Sequence, residues 1–131
     1  MVSYLVPRMA RLQFSIRDRL DRTGIFISGL CAVHCLASLL LVSALGLGGQ
    51  VLLAPAIHRV GLGLAIAVGA VTLGIGVFRH GQVWPLLVGS VGLILMTIGL
   101  LVPHGPAEAI LTIAGVGMVA SAHIMNLRLA R

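Results

Sequence analysis

"GIFISGLCAVHCLASLLLVSALGLG", residues 24–48, contains no Asp, Glu, Lys or Arg. A helix needs about 20 apolar residues to cross the hydrocarbon of a bilayer, and this stretch is long enough to do so with some tilt. Its reading decides the fold class because the chain repeats it. Three further apolar segments, 60–78, 84–102 and 107–127, lie between polar breaks: "GGQ" with Pro55 and His58–Arg59, then "RHGQ" before Pro85, then "PHGP". The composition agrees, with 59% hydrophobic and 9% charged residues and a mean hydropathy of +1.12, values that no soluble surface shows. Lipid offers the backbone no hydrogen-bond partner, so the segments must be helices, and short connections make neighbours antiparallel. The expectation is an all-α membrane protein: a four-transmembrane-helix up-and-down bundle over residues 24–131, preceded by a basic segment, 1–23.

The nine basic residues are all arginine. Arg8, Arg11, Arg17, Arg19 and Arg22 precede the first span; with four spans their side also holds Arg79, Arg128 and Arg131, while the other side holds only Arg59. Cytoplasmic flanks carry the excess of arginine, so both termini are expected to be cytoplasmic. The same clustering accounts for the net charge of +6 through lipid headgroups,. Nucleic acid is not expected as a partner, since aromatic residues for base stacking make up only 4%,. The apolar run behind the basic terminus is longer than the core of a cleavable signal and is expected to be retained. Within the basic segment Met9, Leu12, Ile16 and Leu20 form a stripe that suits either a helix lying in the interface or a solvated tail. Small residues four apart (Gly24, Ser28 and Ala32; Gly61, Ala65 and Gly69; Gly117 and Ser121) read as packing seams.

The chain has two cysteines, Cys31 and Cys35, with His34 between them. On a helix these three side chains project within an arc of about 100° and can approach one point. A disulfide between positions four apart fits helix geometry poorly, so the thiols are expected to be reduced. Cys31 lies roughly 10 Å below the cytoplasmic edge if the span begins at Gly24, and His123 lies roughly 7 Å from that edge, counted from Arg128. Matched depths predict a cluster of Cys31, Cys35, His34 and His123. Such a set of sulfur and nitrogen donors suits Hg(II), Cu(I) or Zn(II) rather than Mg(II) or Ca(II). Each residue also has a plain reading, cysteine as a small hydrophobe and histidine as a helix contact; it is their sharing of one face that favours metal.

Together "DRTGIFISGLCAVHCLAS", "AIHRVGL", "GVFRHG" and "SAHIMNLR" resemble the MerC family over residues 20–128. The resemblance implies a four-helix inner-membrane protein for mercuric-ion transport and mercuric resistance, with Cys31 and Cys35 as the ion relay and a cytoplasmic mercuric reductase or metallochaperone as recipient. Members from mercury-resistance operons carry C-x-x-C in the first span and further tail cysteines. Here His34 stands inside the motif and no third thiol follows, so a tail relay is not expected, and Zn(II) stands beside Hg(II) as cargo.

His58 and His104 fall on the predicted outer face, where they read either as an outer collecting site for a cation or as interfacial residues. His80 beside Arg79 reads as a topology anchor, and Glu108 as a carboxylate at a helix start, favoured by the helix dipole. No acid–base dyad, activated nucleophile or phosphate loop is present, so no enzyme is expected. C-x-x-H-C is not the C-x-x-C-H of haem attachment, and no prosthetic group is expected. The leading function is membrane transport of a soft heavy-metal cation, mercuric ion foremost; the alternative is a zinc-binding membrane sensor or accessory subunit that does not transport. The lipid bilayer and the cation are the expected partners, and a second copy of the chain is a further candidate.

Overall fold

A computed structural model describes residues 2–45 and 54–130, with side chains described from Ile16 onward except at positions 42 and 45. Four helices follow one another: α1 Val2–Leu45, α2 Pro55–His80, α3 Trp84–Leu101 and α4 Pro106–Leu129. No strand occurs among the described residues. Prolines stand in the first turns of α2, α3 and α4, where the missing N–H has no intrahelical role and φ is already helical. The α2 helix stops at Gly81, whose φ of 68° is left-handed and whose N–H donates to the carbonyl of Val77 at 2.9 Å,.

Each helix is long and apolar enough to cross a membrane, over Ile16–Leu41, Pro55–His80, Trp84–Leu101 and Pro106–Leu129. Helix α1 packs on α2 and α4, α3 packs on the same two, and α2 meets α4 diagonally, which is the expected up-and-down bundle. Large apolar side chains such as Phe26, Val33, Leu40, Val60, Phe78 and Ile110 point outward, as lipid permits. The interior is built of smaller groups. Met96, Val116 and Val119 form its apolar centre, with Cys31, Ala32, Leu62, Ala65 and Leu93 packed around them.

Two features differ from the sequence expectation. The first helix is continuous across position 23, and Arg17 and Asp21 are buried, at 5% and 0% exposure, so the bundle extends about two turns further toward the amino terminus than Gly24. Positions 46–48 of the expected first span, and the side chains of Met9 and Leu12, lie outside the described residues. The second difference concerns the seams. Gly24 and Gly61 do face neighbours, but Gly117 has nothing within 4 Å of where a Cβ would stand, and it and Ser121 are exposed. The tight crossing of α3 and α4 uses Gly92 and Gly115 instead: a Cβ on either would stand 2.6 Å from the other's carbonyl oxygen. In lipid this contact between backbones takes over the role that hydrophobic burial plays in water.

Candidate metal centre

Helical spacing places Cys31, His34 and Cys35 on the side of α1 that turns toward α2. Both thiols are free; Cys35 is buried and Cys31 half-buried. Opposite Cys31 stands Gly61, where a Cβ would come within 3.6 Å of the sulfur, so the missing side chain lets α2 lie close. One turn earlier on α2, His58 Nε2 lies 3.7 Å from Cys35 Sγ, within hydrogen-bond reach for sulfur. The His58 and His34 rings meet edge to face, with centroids 5.7 Å apart.

From His58 the polar side chains continue to the end of the bundle that carries the α3–α4 turn. Nε2 of His58 is 4.0 Å from Oε1 of Glu108, and Oε2 of Glu108 accepts a 2.7 Å hydrogen bond from His104 Nδ1. Glu108 is buried, whereas the His104 side chain is 48% exposed. A cavity of about 90 Å³ is bounded by Cys35, Ser38, Leu39, His58, His104, Gly105, Glu108 and Ala109. Ser38 is buried on its wall, its hydroxyl without a hydrogen-bond partner among the described residues. A larger space, about 450 Å³, lies mainly between α1 and α2 and has Cys31, His34, Cys35, His58 and Thr112 on a wall that is mostly apolar. Among the described residues no three His, Cys, Asp or Glu side chains already converge as a closed metal cage; the arrangement is a row of donors leading from the half-exposed His104 to the thiols.

His123 is not part of that row. Its Nδ1 donates to Oδ1 of Asp21 at 2.7 Å, and its ring tip lies over Gly24, where a Cβ would stand 2.5 Å from Nε2. The depth match with the thiols is corrected for a physical reason. It takes Gly24 as the start of the first span and Arg128 as the end of the fourth, yet Arg17 and Asp21 lie inside the bundle and shift the register. Antiparallel α1 and α4 set Asp21 beside Asn126 and Gly24 beside His123; Cys31, seven residues further along α1, is then about 10 Å away from His123, level with Val116. The thiols therefore belong to the half of the bundle that also holds His58 and His104, and the two histidines expected as a separate outer site are their neighbours.

His123 instead belongs to a second polar cluster at the end carrying the carboxyl terminus of α4. Asn126 Nδ2 donates to Oδ2 of Asp21 at 2.9 Å, and its Oδ1 accepts from His80 Nε2 at 2.9 Å. The backbone N–H of Gln82 donates to His80 Nδ1 at 3.1 Å. Arg17 Nη2 donates to the carbonyl of Asn126 at 3.1 Å, with its Nε 4.0 Å from Asp21. Thr72 Oγ1 lies 3.4 Å from His123 Nδ1. Thus three helices are tied by polar groups that are mostly buried and bond one another, and His80 is a structural member of that tie.

Sequence reading passed over Glu108, Ser38, Asp21 and Asn126 as members of sites. Three spacings carried the signal: Arg17 and Asp21 four apart and His123 and Asn126 three apart, each pair on one helix face, and His104 four residues before Glu108, in the turn that leads into α4,.

No curated protein and no solved structure is significantly similar to the chain. The family described as MerC mercury resistance protein matches residues 21–128, a stretch that includes Cys31, Cys35, His58, Glu108 and His123, and on that match the chain belongs to the MerC family.

Proposed function

We propose that the chain carries a soft heavy-metal cation, mercuric ion foremost, across the bacterial inner membrane. The observation that carries this reading is the pair of free thiols one turn apart on α1, with His58 3.7 Å from the deeper of the two. Mercuric ion is satisfied by two thiolate ligands in line, so it needs no four-ligand cage, and polarisable sulfur selects it over hard cations. Binding requires each thiol to lose its proton. His58 and His34 are the bases at hand; both flank the sulfurs, and His58 is joined through Glu108 to His104 at the end of the bundle.

The arginine excess on the terminal side supports cytoplasmic termini. The α3–α4 turn then faces outward, and the ion enters past His104 and His58, moves to Cys35 and Cys31, and leaves toward a cytoplasmic reductase or metallochaperone. No step of this route makes or breaks a bond in an organic substrate, and we read the protein as a carrier and not as an enzyme. A second reading, a zinc-binding sensor or accessory subunit that does not transport, draws support from the nitrogen and oxygen donors around Glu108. Flux separates the two, since a sensor binds without moving the ion.

In vesicles reconstituted with the full chain, Cys31→Ser and Cys35→Ser are expected to reduce mercuric-ion accumulation to the level of protein-free vesicles, with helix content unchanged. Accumulation equal to wild type in both variants would overturn the relay.

A further inference from the structure

The two buried carboxylates are neutralised differently. Asp21 has the guanidinium of Arg17 beside it. Among the described residues no arginine lines the cavity around Glu108; there the carboxylate faces imidazoles, His104 at 2.7 Å on one oxygen and His58 at 4.0 Å on the other. A carboxylate held in a low-dielectric span without a fixed cation is expensive unless a mobile cation or a proton visits it. The cavity is also under-satisfied, because the Ser38 hydroxyl on its wall has no partner among the described residues although Ser38 is only 2% exposed. Native interiors leave few polar groups in that condition, and such a group marks a place where an ion or water can bind.

We propose that Glu108, His58 and His104 form a sulfur-free site for a borderline divalent cation of the Zn(II) and Co(II) class, distinct from the thiol pair. Two imidazoles and one carboxylate are a donor set that such ions accept, with a fourth position left for water held by Ser38. In the present arrangement both imidazoles turn toward the carboxylate; a cation displaces the proton between His104 and Glu108 to solvent, and the His104 ring swings from the oxygen to the ion. His104, half exposed in the turn before α4, is the ligand free to make that movement. Glu108 is fixed in the first turn of α4, and His58 is held between it and Cys35. The site would sort ions at the outer end of the pathway, since borderline cations are retained by nitrogen and oxygen while softer ones pass to sulfur 3.7 Å beyond His58,. That sorting role rests on the carrier reading; the binding site does not.

The test uses the full chain in detergent with both cysteines replaced, Cys31→Ser with Cys35→Ser, titrated with Co(II) and competed with Zn(II). Expected is one Co(II) per chain, with visible d–d absorption and no sulfur-to-cobalt charge-transfer band. Adding Glu108→Gln weakens that binding by at least about tenfold, the lower end of what displaced support costs a metal site. If Glu108→Gln does not fold, His104→Ala, altered at an exposed turn, decides the matter by the same loss. Absence of Co(II) binding in the cysteine-free chain, or binding unmoved by these changes, would overturn the site. Failure of the carrier reading looks different: mercuric-ion uptake would then be indifferent to Cys31 and Cys35 while the cobalt spectrum and its dependence on Glu108 persist.

Discussion

Asp21→Ala is expected to destabilise the bundle by about 3–5 kcal/mol, the range found when one partner of a buried ion pair is deleted. The carboxylate accepts from His123 and Asn126 and balances Arg17, and Arg17 and Asp21 themselves are 5% and 0% exposed. Removing it leaves a guanidinium, an imidazole N–H and an amide N–H turned toward an empty space at the end of three helices. Water would satisfy them only if the bundle parted there. Asp21→Asn keeps an acceptor oxygen but loses the charge, so a smaller loss is expected than for alanine. Thermal unfolding in detergent, followed by circular dichroism, measures both. An alanine variant melting with the wild type would show that the network contributes little to holding α1, α2 and α4 together.

This cluster also shows where sequence reading stops. The four spans were legible because hydrocarbon imposes a length and excludes charge, and 84–102 and 107–127 fell within a few residues of α3 and α4. The sharing of one face by Cys31, His34 and Cys35 was legible because it follows from helix periodicity alone. The depth of that face was not. Arg17 and Asp21 look like the charged edge of a span, yet they bind one another and the α4 terminus, and a charge that is internally paired carries no signal of where the lipid begins. Moving that edge by about two turns transferred His123 from the thiols to Asp21 and brought His58 and His104 to them instead. Glu108 was read for its place at a helix start, which the structure keeps; its partners on α2 and in the preceding turn depend on how the helices pack, which no single-helix pattern encodes. The MerC family was legible from four short motifs, and the match over 21–128 bears it out.

Small residues were equally ambiguous, and the difference between Gly115 and Gly117 turns that ambiguity into a prediction. Gly115→Val is expected to cost about 3 kcal/mol or to prevent folding, at the upper end of overpacking effects. A Cβ at 115 would stand 2.6 Å from the carbonyl oxygen of Gly92 and 3.1 Å from the backbone nitrogen of Met96. Neither is the end of a flexible side chain, so α3 and α4 must separate. Gly117→Ala, one half-turn away where nothing lies within 4 Å, is expected to be neutral or to stabilise by up to about 1 kcal/mol through helix propensity. Comparing the two melting curves in detergent isolates packing from propensity, because both changes add a side chain to the same helix. The separation also reaches the site. Helix α3 abuts the first turns of α4 through Gly99, where a Cβ would meet Thr112 Oγ1 at 3.0 Å and the Glu108 carbonyl at 3.6 Å. Any outward shift of α4 draws Glu108 away from His58, a pair already at 4.0 Å. A Gly115→Val chain that still folds should therefore bind Co(II) more weakly in the cysteine-free background, although none of its metal-binding side chains has been altered.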